Sequence, residues 1–206
     1  MKAQVITTGN IVDWEMDNPV TGWGYVGDAK IHISEIRIWS KYIDSNVRIY
    51  ESHKFGYMVR IDEGFHCTTQ LTLGDYVHIS PFVTCVGGKN SSFEAKGFNN
   101  IMAGARIICA SDRFDGSGLF GALIPDHLKG TQINSPVVMD WLSNLGTNAI
   151  MMPGSRLAKG ALLSVRSVLF GDTEEWGVYK GNPAILTKKI DGSKLIEYAK
   201  KLGYEL

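Results

Sequence analysis

Only three cysteines occur in 206 residues, Cys67, Cys85 and Cys109, and their spacing fits neither a disulfide framework nor a close-set zinc pattern. Reduced, buried thiols are the expectation, since unpaired cysteine behaves as a small hydrophobe. Net charge is missing too. The 21 Lys+Arg balance 21 Asp+Glu and the pI is near 7.0, so there is no basic footprint for nucleic acid or for an anionic membrane face. No stretch reaches the roughly 18 uncharged residues a membrane span requires, and MKAQVITTGN carries one Lys with no apolar run behind it. These absences predict a cytoplasmic protein with a small-molecule partner. What is present, 44% hydrophobic and 20% charged residues, suffices for one sizeable core.

Periodicity identifies the fold. Aliphatic residues recur six apart, with a small or aliphatic residue four positions after each. The clearest run is Met139, Leu145, Met151, Leu157, Leu163 and Leu169, with companions Ser143, Ala149, Ser155, Ala161 and Ser167. A second runs from Ile43 through Ile49, Phe55, Ile61, Cys67, Leu73 and Ile79 to Cys85, where His53 is the polar exception among the companions. A third, Ala95, Ile101 and Ile107, has Asn99 and Ala105 at that place. Two inward residues per hexad describe one short strand plus a corner, and three hexads close a triangular coil. An amphipathic helix would need apolar residues at i, i+3, i+4 and i+7, and these runs fail that template. The expectation is a mainly β protein, a left-handed parallel β-helix of hexapeptide repeats, with residues 18 apart stacked. Its 17 first places make five to six coils, a height of about 27 Å.

Phase also locates the interruptions. Ten residues separate Cys85 from Ala95, and 32 separate Ile107 from Met139, so loops of four and 26 extra residues enter at the same corner. The longer, about 109–135, lacks periodicity, and an insertion of that size in a compact domain is usually functional. Residues 1–42, with Trp14, Trp23, Trp39 and TGWGYVG, keep no phase and read as an irregular cap or a few strands. Residues 43–190 form the β-helix. Residues 191–206 place Leu195, Ile196, Tyr198, Ala199 and Leu202 at helical spacing behind Ser193 as N-cap, a C-terminal helix over an open coil end.

Phase further aligns Arg60, His78, Asn100 and Asn144 in one outward column, giving a histidine with polar neighbours that can orient it; the plainer reading is a surface histidine beside an asparagine ladder. Ser111, Asp112, Arg113 and Asp115 open the long loop as donors and acceptors for a polar ligand, or simply as turn residues. His127 in that loop is the rival base, while His32, His53 and His66 read as structural or surface residues. A zinc site of three histidines is not formed by any one column.

The hexads, LGDYVHISPFVTCVGG (73–88), ASDRFDG (110–116) and WGVYKGNPA (176–184) resemble hexapeptide-repeat acyltransferases over about residues 43–190. The likeness is to the bacterial branch acetylating sugars for surface polysaccharides such as lipopolysaccharide, including nucleotide-linked 4-amino-4,6-dideoxyglucose acetyltransferases. It implies a homotrimer with acetyl-CoA in the groove between prisms, no metal, and a sugar acceptor near loops that reach across. It also implies direct attack by a hydroxyl or amine with a histidine general base, here His78 assisted by Asn100, and acceptor contacts from Ser111, Asp112, Arg113, Asp115 and His127. Relatives carry Thr-Lys where this chain has Phe170-Gly171, and a cation where it has Ile185. Arg166, Lys180 and Lys188, with Asn144, are the replacements expected to hold the donor. A catalytically silent repeat protein is the alternative from another class.

Overall fold

The computed structural model describes residues 43–206 apart from positions 45 and 122, together with the backbone of Tyr42 and of four earlier strands. Those four, Lys2–Thr7, Asn10–Asn18, Trp23–Val26 and Ala29–His32, pair antiparallel in chain order. Trp39 lies outside the described residues, as does the side chain of His32.

From Tyr42 onward the chain winds into about seven parallel coils with three sides. The first side stacks Tyr42–Ile43, Arg60–Ile61, His78–Ile79, Asn100–Ile101, Asn144–Leu145, Leu162–Leu163 and Gly177–Gly181, and Ala184–Lys189 closes it antiparallel. The second stacks Arg48–Ile49, the starts of His66–Asp75 and Thr84–Gly97, then Arg106–Ile108, Ile150–Met151 and Val168–Leu169. The third holds His53–Phe55, the ends of those two long strands, Val137–Met139 and Arg156–Leu157. The coil count exceeds the hexad count because the final coil closes through Gly177–Gly181, where the six-residue period has already lapsed.

Stacking follows the predicted register: Leu145 pairs with Leu163 and Met151 with Leu169. Leu145, Met151, Leu157 and Leu163 are all 0% exposed, so alternate residues of each strand fill the prism. Each such side chain contributes about 1.5–3 kcal/mol on burial. Asn99 serves at an inward place because its amide is satisfied there. Its Nδ2 donates to the carbonyls of Asp140 and Ser143, and its Oδ1 accepts the Gly97 N–H. Cys67 and Cys85 are in-register neighbours, and burial pushes the Cys85 thiol well up, keeping it protonated.

The outward faces differ in character. The third carries an ion network in which Asp140 takes Lys96 Nζ at 2.6 Å and also binds Arg156. The second presents Arg48, His66, Thr84 and Arg106 along one edge and, beside them, an apolar strip of Val86, Ile108, Ile150, Met152, Val168 and Phe170, with Phe170 58% exposed. The first is polar and carries the candidate site.

Both insertions leave the corner between second and third sides, one above the other, with Cys109 N–H donating to Val86 O and Phe93 in register with Val137. The longer is an arm. Its stem is an antiparallel ribbon of Ala110–Asp112 and Gln132–Asn134, and its outer part exposes Phe114, Leu119, Phe120, Leu123 and Leu128.

The C-terminal helix, Ser193–Lys201, lies along a corner rather than over a coil end. The ring of Trp176 fills the space a Cβ would need at both Gly160 and Gly192, bringing the helix start beside the upper coils. Further on, Tyr204 packs on Tyr76, Phe98 and Trp141, which belong to three successive coils. Aromatic surface along that corner thus draws the helix down the prism. Ser193 is the first helical residue, not the cap; Asp191 Oδ1 accepts its backbone N–H at 2.9 Å and its hydroxyl at 2.5 Å.

Candidate functional site

The first side holds the predicted column in register: Arg60 beside His78, His78 beside Asn100, Asn100 beside Asn144. A strand residue flanking the inward Ile79 must face out, and the His78 side chain is 38% exposed. Its orienting partner is Asp62, which phase did not single out. His78 Nε2 lies 2.8 Å from Asp62 Oδ2, and Arg60 Nε donates to Asp62 Oδ1 at 2.7 Å. Burial raises the Asp62 carboxyl, but the hydrogen bonds and charges of His78 and Arg60 outweigh it and hold the group below the ordinary carboxylate range.

No hydrogen bond among the described residues joins the Asn100 side chain to the ring. The Asn100 backbone N–H donates to Asn144 Oδ1 at 3.0 Å, and Asn144 Nδ2 donates to Leu142 O, so Asn144 braces adjacent coils. Asn100 Oδ1 itself is buried and without a hydrogen-bond donor among the described residues. Leaving such an acceptor unpaired costs about 1–3 kcal/mol.

At the far edge of the same side, Gly181 N–H donates to Ser167 Oγ at 3.0 Å, tying the strand end that carries Lys180 to the corner that carries Arg166. Lys188 stands opposite Val178 on the closing strand. All three cations are exposed, and among the described residues none forms an ion pair, whereas nearby Lys159 and Lys189 pair with Glu175 and Glu174. Val165 and Ile185, 57% and 65% exposed, flank them. Between His78 and the Gly177–Gly181 strand rise four strand spacings, about 19 Å, lined on the outside by Asn100, Asn144 and Leu162.

The arm residues stand elsewhere. Asp112 Oδ1 accepts from Gln132 Nε2 at 2.9 Å across the stem, and Ser111 Oγ donates to Asp112 O. Arg113 is exposed, and its N–H bonds Thr131 O. Asp115 accepts the Ser117 N–H at 3.0 Å, the work of a turn residue. His127 lies in the exposed 3-10 turn Asp126–Leu128. The arm leaves the corner between second and third sides, so a whole side separates its root from His78 on the same chain. The rings of His53 and His66 pack at a tilt against those of Phe55 and Tyr50. Among the described residues no cluster of His, Cys, Asp or Glu is placed to hold a metal.

No family model matches the chain. Solved structures with similar folds include a mutant of AntD, an N-acyltransferase from Bacillus cereus, in complex with dTDP and coenzyme A. It is 24% identical with a TM-score of 0.72, over 77% of this chain and 85% of that one. A second AntD mutant, in complex with dTDP-4-amino-4,6-dideoxyglucose and coenzyme A, has a TM-score of 0.71 over 78% and 86%, also at 24% identity. A hexapeptide-repeat acetyltransferase from Vibrio cholerae, in complex with acetyl coenzyme A, is 19% identical with a TM-score of 0.55 over 68% and 71%. These likenesses establish the fold, including the left hand of the coil. A probable macrolide acetyltransferase from Lysinibacillus sphaericus is 34% identical over 60 residues, which is 29% of this chain and spans only 33% of that protein's length.

Proposed function

We propose that the chain is an acyl-CoA-dependent acyltransferase that acetylates a hydroxyl or amine of a nucleotide-linked sugar, with His78 as general base. One observation carries the reading. A carboxylate-paired histidine shares one outward side with Lys180, and Arg166 stands at a corner of that side; among the described residues neither cation forms an ion pair. Acyl transfer needs a base at the nucleophile and a grip on a polyanionic donor. Arg166, Lys180 and Lys188 suit the donor phosphates, and Val165 and Ile185 its apolar surfaces. The thioester end then reaches toward His78 past Asn100.

In the reaction His78 takes the proton as the acceptor oxygen or nitrogen attacks the thioester carbonyl. The C–S bond breaks, and the proton passes to the departing thiolate. The coenzyme A complexes of the similarly folded proteins support the donor class, and AntD in complex with a dTDP-aminosugar supports the acceptor class.

The apolar strip of the second side supports a homotrimer. Contiguous exposed apolar residues of this kind mark contact faces, and threefold packing would cover them while bringing a neighbour's arm, with Ser111, Asp112, Arg113, Asp115 and His127, toward His78. A cytoplasmic site of action suits a nucleotide-sugar acceptor.

The test is a panel of nucleotide-linked sugars, among them dTDP-4-amino-4,6-dideoxyglucose, incubated with acetyl-CoA while free thiol is titrated. Sugar-dependent thiol release is expected. Absence of both thiol release and coenzyme A binding would leave a catalytically silent β-helix as the better reading.

A further inference from the structure

Asp62 has no part in the hexad pattern, yet among the described residues it is the one side chain bonded to the ring of His78. Its Oδ2 lies 2.8 Å from Nε2, and its Oδ1 accepts from Arg60 Nε at 2.7 Å. The carboxyl is held below its ordinary range and is ionised at neutral pH, so it can only accept. In the neutral ring the proton of that bond must therefore belong to Nε2, which leaves the lone pair on Nδ1. The Asp62 side chain is 16% exposed and the His78 side chain 38%, so the acid is sheltered while the ring stays reachable. Of the two strands bordering His78, one contributes Arg60 and Asp62 and the other Asn100 and Met102, so those two strands bring only the charges of Arg60 and Asp62 beside the ring.

We infer that Asp62 is a positioning residue that holds His78 in the tautomer with Nδ1 as the proton acceptor, and that Arg60 holds the carboxylate turned so that Oδ2 meets the ring. This rests on His78 being the base. When Nδ1 takes the proton from the attacking group, the ring becomes cationic with its counter-charge already in contact at Nε2. No rearrangement is needed at that moment, which is the benefit of preorganised charge.

Two measurements decide it. In wild-type protein above the titration of the ring, ¹⁵N resonances of His78 should report a protonated Nε2 and a bare Nδ1; a proton on Nδ1 would overturn the inference. In turnover assays, Asp62→Ala should lower kcat by about 10²-fold, with the KM for acetyl-CoA changing by less than about twofold. Asp62→Asn, which keeps the shape, should also lose the tautomer bias, and Asp62→Glu should recover part of the rate. Unchanged kcat in folded Asp62→Ala or Asp62→Asn protein refutes positioning. His78→Asn run in parallel separates the failures. Full turnover there removes the base itself, whereas an inactive His78→Asn beside a fully active Asp62→Asn removes only the role of Asp62.

Discussion

Tyr204 donates its phenol hydrogen to Asp75 Oδ2 at 2.6 Å across 129 positions of sequence. Asp75 Oδ1 in turn accepts the backbone N–H of Tyr57, also at 2.6 Å, so a single carboxylate ties the C-terminal tail to two coils. Burial and the bond to Asp75 push the Tyr204 phenol far above its ordinary range, keeping it a donor. Tyr204→Phe keeps the ring contacts and deletes only the bond. A hydrogen bond to a charged group contributes about 2 kcal/mol, so Tm should fall by roughly 4–8 °C for a chain of this size. Scanning calorimetry of the two proteins at one pH checks it.

Asp140 should make stability sensitive to acid. Burial raises its carboxyl, but Lys96 and Arg156 outweigh that and hold it below the usual range. A depressed folded value means the contribution is complete above the unfolded carboxylate value near about 3.9 and is lost as pH falls through the folded value. Asp140→Asn should cost about 2 kcal/mol at pH 7, less than a fully buried pair because both cations stay partly exposed. That deficit should shrink steadily below about pH 4. Denaturant melts at pH 7 and pH 3 would expose a constant deficit, which contradicts the assignment.

Phase alone reached the column Arg60, His78, Asn100 and Asn144 because hexads fix which residues stack and which face out. It could not reach Asp62, whose meeting with His78 depends on side-chain length and rotamer between places that are not stacked. The arm's ribbon was illegible for a different reason. Ala110–Asp112 and Gln132–Asn134 are three residues each, too short for alternation to register. The course of the C-terminal helix depended on aromatic residues at corners, where Tyr76 and Phe98 adopt positive φ of 57° and 53° and stack on one another. Nothing in a periodic pattern distinguishes a corner that will receive a helix from one left in water.

The apolar strip on the second side predicts an assembly. Ile150→Glu with Met152→Glu places two charges on the outward face without touching the inward Met151. Light scattering should find a trimer for the wild type and a smaller species for the variant. A trimer that persists unchanged would move the interface elsewhere.

For the donor, Arg166→Ala with Lys180→Ala removes two cations that form no ion pair among the described residues and that sit on segments joined by the Ser167–Gly181 bond. KM for acetyl-CoA should rise by about tenfold or more with kcat little changed, the signature of lost uniform binding. The effect should weaken as salt is added, because exposed charges are screened within about 8–10 Å at physiological ionic strength. If KM stays constant and only kcat falls, these residues do not hold the phosphates.

Two histidines compete for the role of base, and exchange for asparagine separates them. His78→Asn keeps hydrogen bonding and much of the volume but cannot take a proton, so turnover should fall by about 10² to 10⁴, with acetyl-CoA affinity nearly unchanged. His127 sits on an exposed turn of the arm, beside Lys129 bonded to Asp126, and has no carboxylate partner among the described residues. His127→Asn should therefore cost far less, and what it costs should appear in the KM for the sugar. Should the ranking reverse, the base is carried by a neighbour's arm and the His78–Asp62 pair braces the coil. Should both variants keep their turnover, no histidine is the base, and an acceptor amine arriving already neutral would supply its own nucleophile.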